Sequence, residues 1–373
     1  MKIVFLSATN YAYDPRTPLV QPLGGTESAV AYLTAALARA GAKVTLLNNC
    51  PVERNVDGVH IAHNHPILLS NLEDCDLLVV VSAAIGGNVR RFLDARVPLV
   101  LWCHLDIDQQ GIFGLGQPEE RAAWTRYVMV SKWQAERFAK HYSLPESHIH
   151  VIGNGVSPAF LARPPAPAWF EAGAAPTLAY TSTPFRGLDI LLQCFPAIRE
   201  AIPDIRLRVH SSMNIYGIGS EADAYRYLYK LARSLPGVDY VGPVSQSELA
   251  QSLQSVAAIA YPSTFRETSC IAVMEAMASG VDIITTDLGA LPETLNGFGQ
   301  ALSSPETRSI SGTNPVLANG FIDLAVKTLL EARSNPAGAA QKRRERVDFA
   351  RSAYNWDARA QEWLALAEKL KSA

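Results

Sequence analysis

The sequence predicts an α/β protein built from two doubly wound, Rossmann-like domains. Three observations carry that expectation. Apolar, strand-length runs alternate with amphipathic, helix-length stretches through the first half, and the alternation restarts after a Gly- and Pro-rich break near residue 155. A chain of 373 residues is also long enough for two domains that each bury a core.

Composition narrows the class. With 48% hydrophobic and 18% charged residues the chain reads as a soluble globular protein, and a formal net charge of −2 supplies no global basic field for nucleic acid. The five cysteines, Cys50, Cys75, Cys103, Cys194 and Cys270, are odd in number and lack CxxC spacing, which favours reduced thiols in a cytoplasm over disulfides or zinc. The chain opens straight into the strand-like Lys2-Ile3-Val4-Phe5-Leu6 rather than a signal peptide. No apolar run reaches the roughly 18 residues that span a bilayer. The expectation is a cytoplasmic protein.

The first domain is assigned to residues 1–154. Strands are expected at Lys2–Ser7, Lys43–Leu47, Asp76–Val81, Pro98–Cys103, Tyr127–Val130 and His150–Ile152, with helices at about Thr26–Ala40 and Lys132–His141. Such alternation predicts a parallel sheet covered on both faces, whose ligands bind beyond the carboxyl ends of the strands. The loop Asn10–Leu23, ending in Gly24-Gly25-Thr26-Glu27, therefore lies on that rim. Gly24 and Gly25 let main chain approach a ligand closely, and the helix start behind them favours anions. No GxGxxG fingerprint for a nicotinamide dinucleotide is present there.

His104 follows the strand Leu99-Val100-Leu101-Trp102-Cys103, again at a carboxyl end. Asp106 and Asp108 beside it read as a solvated surface pair, and His63 and His65 lack further ligands at metal spacing. No metal site is expected.

The break at Val151–Pro158, followed by the Pro/Ala-rich Arg163–Ala168, reads as a linker. The second domain, residues 155–354, restarts with strand Thr177–Thr181, helix Leu188–Ala201, strand Arg206–His210, helix Glu221–Leu235, strand Val238–Val241 and helix Gln246–Leu253. Arg186, in the turn after its first strand, offers forked, charge-assisted hydrogen bonds to a diphosphate. Asp287–Glu293 makes another strand-end turn. The chain ends in an amphipathic helix carrying Trp363, Leu364, Leu366 and Leu370.

The stretch Tyr261–Gly280 holds the chemistry together. A buried run, Val256–Ala260, leads into the turn Pro262-Ser263-Thr264, and a helix opens near Ser269. Free N–H groups around Ser269, Cys270 and Ile271, at the positive end of the helix dipole, form a seat for phosphate. Glu267 precedes the helix and Glu275 rides inside it, on the order of 10 Å away at 1.5 Å of rise per residue. That span suits a sugar joined through a diphosphate to a ribose.

These residues resemble the Glu-x7-Glu signature of the retaining GT-B glycosyltransferases, specifically family 4, the glycosyl transferases group 1. The likeness runs from Gly24 to Trp356. It implies a GT-B fold of two Rossmann-like doubly wound domains facing across a cleft, hinged at Asn154-Gly155-Val156. The first would be the acceptor-side domain, with the helix of about residues 355–373 packing back on it, and the second would bind the nucleotide-sugar. The implied reaction is metal-independent transfer of a hexose from a nucleoside-diphosphate sugar to an acceptor hydroxyl, with retention and without a cofactor.

By the same resemblance Glu267 holds sugar hydroxyls, Glu275 the ribose and Arg186 the diphosphate. His104 lies near the transferred sugar, while Gly24, Gly25, Thr268, Ser269, Cys270 and Ile271 line the donor site. The implied partners are a nucleotide-sugar donor, a carbohydrate or lipid-linked acceptor, and peripheral contact with the cytoplasmic membrane face; nucleic acid is not among them. Two departures stand out: Tyr180 and Arg186 occupy the family's Arg and Lys positions, and Glu267-Thr268-Ser269-Cys270 replaces its Glu-Gly-Phe-Gly. Donor base, sugar and acceptor stay open. So do two other uses of such a fold, a nucleotide-sugar epimerase or hydrolase and a non-catalytic sugar-nucleotide-binding module.

Overall fold

A computed structural model describes residues 1–64, 75–303 and 315–372 of the chain. Contacts divide it into two units. The first comprises Met1–Pro18, Gly25–Gly155 and Asn355–Ala373, and the second comprises Leu19–Gly24 and Val156–Tyr354.

The first unit contains β1 (Lys2–Ser7), β2 (Lys43–Asn48), β3 (Arg54–Val56), β4 (Val59–His63), β5 (Leu77–Val81), β6 (Leu99–Cys103), β7 (Arg126–Met129) and β8 (Ile149–Val151). They form one sheet in the order β3-β4-β2-β1-β5-β6-β7-β8, parallel except for the β3–β4 hairpin. Every residue of β5 and β6 is buried, as helices on both faces require. The hairpin departs from the expected all-parallel pattern. Its turn, Asp57-Gly58, has two positive φ values, 50° and 82°, the conformation that lets a two-residue loop follow the twist of its strands.

The last helix, Trp356–Lys371, belongs to this unit. Asn355 starts it by accepting from the Asp357 N–H at 2.8 Å, and the helix packs on the Gly25–Arg39 helix. Trp363 is fully buried edge-on to Phe5 and Trp102, with ring centroids 6.1 and 5.4 Å away.

In the second unit β9 (Thr177–Tyr180), β10 (Arg206–Val209), β11 (Val238–Tyr240), β12 (Ala258–Tyr261), β13 (Asp282–Thr286) and β14 (Gln300–Leu302) form a parallel sheet ordered β11-β10-β9-β12-β13-β14. The chain winds outward from β9 through β10 and β11, then returns to β12 on its other side. The carboxyl ends of β9 and β12 therefore flank the point where strand order reverses, the usual ligand position in such sheets.

Two sequence expectations need correction here. The helix expected at Glu221–Leu235 spans Arg226–Ser234, because buried Asp223 accepts from Tyr225 N–H and the Tyr229 hydroxyl, both at 2.8 Å, and holds the preceding turn. Residues Arg163–Ala168 are irregular but not a free linker. Arg351 donates to the Phe160, Leu161 and Arg163 carbonyls, Arg343 donates to Ala166 O at 2.5 Å, and Gln254 accepts from Ala166 N–H at 2.9 Å. Those arginines lie on Pro336–Ala353, which with Pro315–Ser334 forms a pair of long helices that the sequence reading left unassigned.

Candidate functional site

The site of the second unit starts from two tyrosines. Tyr180 and Tyr261 end β9 and β12, both fully buried, with rings edge-on and centroids 5.8 Å apart. The Tyr180 hydroxyl donates to Thr183 O at 2.7 Å, so Tyr180 is a neutral core residue. The turn beyond it ends at Gly187, with φ +114°, where a Cβ would stand 2.2 Å from the Pro262 carbonyl oxygen. Only glycine allows this approach. It brings Arg186 to the turn after β12, where its Nη1 lies 2.6 Å from Glu267 Oε1. The guanidinium also lies 4.2 Å from the Phe265 ring centroid.

Glu267 is fixed through both main chain and side chain. Its backbone bridges to Gly289, and its carbonyl accepts from Ala290 N–H at 2.7 Å. Gly289, with φ +68°, leaves no room for a Cβ, which would lie 2.6 Å from Glu267 O. The turn at Asp287–Glu293 thus serves to anchor Glu267. The carboxylate accepts at Oε1 from Arg186 and from the Tyr261 hydroxyl. Burial would lower the Arg186 pKa, but the Glu267 charge outweighs it and holds the guanidinium well above its ordinary value. Tyr261 is a site residue that sequence reading missed.

The following helix spans Ile271–Ala278, with Cys270 at its N-cap and no side chain capping it. Val273 and Met274 bond back to Cys270 O at 3.1 and 3.2 Å. Main-chain N–H groups of Ser269, Cys270, Ile271 and Ala272 have no acceptor among the described residues, and the Ser269 hydroxyl is buried without one. Glu275 is 3% exposed, its carboxyl makes no hydrogen bond among the described residues, and burial pushes its pKa up to about 8. Burial, with the nearby Glu267 charge, also pushes the Cys270 thiol up, so it stays protonated. Arg186, Glu267, Thr268, Ser269, Cys270, Ile271 and Glu275 therefore all belong to the turn after β9 and the turn and helix after β12.

In the first unit, His104 N–H donates to Ser82 Oγ at 3.0 Å, and its Nε2 lies 3.2 Å from Asn154 Oδ1. Burial takes the ring down to about 4, partly offset by Asn154, which keeps it neutral at pH 7. Ser82 sits at φ 51°, a strained conformation for a non-glycine residue at this strand end. The Asp106–Asp108 expectation is corrected. Asp106 is 1% exposed and paired with Arg137 Nε at 2.7 Å, while Asp108 is exposed, so the two carboxylates do not converge. His63 ends β4 and His65 lies outside the described residues. Among the described residues no three His, Cys, Asp or Glu side chains are grouped to hold a metal.

Gly25 opens the Gly25–Arg39 helix, and the division between units falls between Gly24 and Gly25. In its first turn Glu27 is hydrogen-bonded to Tyr11, and burial raises its pKa. Among the described residues no helix is long and apolar enough to cross a membrane.

Comparison with known proteins bears on both sheets. Residues 175–309, from just before β9 to beyond β14, match the family Glycosyl transferases group 1. The D-inositol 3-phosphate glycosyltransferase of Corynebacterium aurimucosum is 34% identical over 112 residues, 29% of this chain and 25% of that protein. The chain thus spans about a quarter of that relative's length. Sucrose-phosphate synthase from Thermosynechococcus elongatus superposes with a TM-score of 0.73 at 16% identity, covering 100% of both chains. An Anabaena protein solved in complex with UDP-glucose does so with a TM-score of 0.66 at 18% identity, again covering 100% of both. At these identities the likeness is one of fold, and the fold is GT-B.

Proposed function

We propose, for a chain that has the GT-B fold and matches the glycosyl transferases group 1 over residues 175–309, that it is a glycosyltransferase. It moves a hexose from a nucleoside-diphosphate sugar to an acceptor hydroxyl with retention of configuration. The observation that carries this reading is the pairing, among the described residues, of four N–H groups without acceptors at the helix start, Ser269–Ala272, with a buried carboxyl at Glu275 that makes no hydrogen bond. A helix start that lacks acceptors suits a phosphate, and a lone buried carboxyl suits a diol.

The departing diphosphate is stabilised by Arg186 and these N–H groups, which are aimed before the charge develops. Glu267 holds the sugar hydroxyls and Glu275 the ribose. Neutral His104 of the first unit is assigned to the transferred sugar through a ring nitrogen, and Gly24 of the second unit and Gly25 of the first to main-chain approach to the diphosphate. The donor charge is met by protein groups, and the reaction is assigned no metal. The acceptor is assigned as a carbohydrate or a lipid-linked molecule, and a lipid-linked one would bring the enzyme to the cytoplasmic membrane face as a peripheral protein.

A thermal-shift panel of UDP, GDP, ADP and their sugars, followed by product analysis with and without acceptors, tests this. A ligand at about 100 times its Kd adds about 2.7 kcal/mol of apparent stability. Donor consumption that requires an acceptor is the expected result. Consumption without one marks a hydrolase or epimerase, and binding without turnover over a broad acceptor panel marks a non-catalytic module.

A further inference from the structure

We propose that Tyr261 is a positioning residue that locks Glu267 so that one carboxylate oxygen, Oε2, reads a hydroxyl of the donor sugar; this rests on the glycosyltransferase reading. The two donors that reach Glu267 converge on the same atom. Oε1 accepts from the Tyr261 hydroxyl and from Arg186 Nη1 at 2.6 Å. Oε2 accepts from no described residue, yet it is not among the sealed polar atoms of the protein. A buried carboxylate is thus held at one oxygen and open at the other.

Tyr261 is suited to hold that orientation. It is 2% exposed, packs edge-on to Tyr180, and its carbonyl accepts from Thr285 Oγ1 at 2.8 Å. Burial, with the Glu267 charge, raises its phenol far above the ordinary value, so the O–H donates at any working pH. Being neutral, it fixes Glu267 without cancelling the negative charge a sugar hydroxyl would meet. With Arg186 alone, the carboxylate could turn and present either oxygen. A site with two interchangeable acceptors separates sugar epimers less sharply than one with a single fixed acceptor.

The test compares wild type, Tyr261→Phe, Glu267→Gln and the double variant. Probes are UDP-glucose, UDP-galactose, GDP-mannose and GDP-glucose as donors, with UDP and GDP as sugar-free ligands. In Tyr261→Phe, kcat/KM for the preferred donor should fall about tenfold, the scale of one lost hydrogen bond to a charged group. Preference over the epimer should shrink by a similar factor, while UDP or GDP affinity stays within about twofold because the diphosphate seat is untouched. Glu267→Gln should lose more, and the double variant no more than Glu267→Gln, since Tyr261 acts through Glu267.

Unchanged epimer preference in Tyr261→Phe, UDP or GDP affinity lost in step with activity, or additive losses in the double variant would each overturn the assignment. Should Tyr261→Phe fail to fold, Glu267→Asp draws the carboxylate back from the hydroxyl while keeping its charge. Weakened epimer preference supports the assignment and full preference overturns it. A wild type that neither binds nor turns over any of these sugar nucleotides overturns the functional reading, and this assignment with it.

Discussion

Glu267 and Glu275 stand eight positions apart in one motif and are buried to nearly the same extent, at 4% and 3% exposure, but the protein treats them in opposite ways. Glu267 lies in a turn where a guanidinium and a phenol meet one of its oxygens. Glu275 lies inside a helix with neither a charge partner nor a hydrogen bond to its carboxyl among the described residues. A buried charge is stable when paired and hydrogen-bonded, while an unpaired acid stays protonated. The contrast separates a carboxylate that the protein holds at one oxygen from one it does not hold at all, and buried acids with strongly shifted pKa values concentrate at functional sites.

The largest expected effect comes from making the first carboxylate resemble the second. Arg186→Leu leaves Glu267 buried with only the Tyr261 hydroxyl, which should destabilise the fold by about 2–4 kcal/mol at pH 7. That begins just below the roughly 3–5 kcal/mol for breaking a fully buried pair, because the Arg186 side chain is 20% exposed. Urea unfolding at pH 7 checks it, and a stability within about 0.5 kcal/mol of wild type would remove the ion pair from the account of this site. Under the proposed function, which has Arg186 stabilise the departing diphosphate, turnover should fall by about a hundredfold or more.

The converse change relieves the second carboxylate. The folded-state pKa of Glu275 is raised from 4.5 to about 8 by burial, so its contribution to stability is fully present below pH 4.5 and is lost as pH rises through about 8. Glu275→Gln removes that slope. At pH 8 the variant should be about 1–2 kcal/mol more stable than wild type, the buried amide keeping part of the gain from appearing. Its affinity for the preferred nucleotide should drop about tenfold in calorimetry. A parallel pH–stability profile in wild type and variant, or undiminished nucleotide affinity, would show that Glu275 is an ordinary helix residue.

The same contrast explains what the sequence could reveal. Both sheets were legible because fully buried parallel strands leave uninterrupted apolar runs such as Leu77–Val81 and Leu99–Cys103. The β3–β4 hairpin was missed although Asp57-Gly58 announced it, since its strands are short and partly exposed. The helix start near Ser269 and both glutamates could be read from spacing and a familiar motif, but their partners could not. Tyr261 reads only as the buried end of a strand, and nothing local says that its hydroxyl turns to a residue six positions on. Arg351 reaches carbonyls about 190 positions away, so the Pro/Ala-rich stretch it pins looked free. Asp106 looked solvated because its partner, Arg137, comes from another helix.

The smallest expected effect concerns the seat between the two glutamates. Ser269 Oγ is buried without a partner among the described residues, beside N–H groups that also lack one there. Ser269→Ala removes an unsatisfied polar atom and leaves the backbone unchanged. Stability should therefore stay within about 0.5 kcal/mol of wild type, or rise slightly. If the hydroxyl has a role it must come from the donor, so the affinity for UDP or GDP alone separates two possibilities that stability cannot. A fall of about fivefold for the bare diphosphate places Oγ on phosphate with the N–H groups. A fall confined to the sugar-bearing donor places it on the sugar, next to the face that Glu267 reads. No fall in either case makes Ser269 a spacer, and phosphate contact at this helix start then rests on main-chain N–H groups rather than on the hydroxyl.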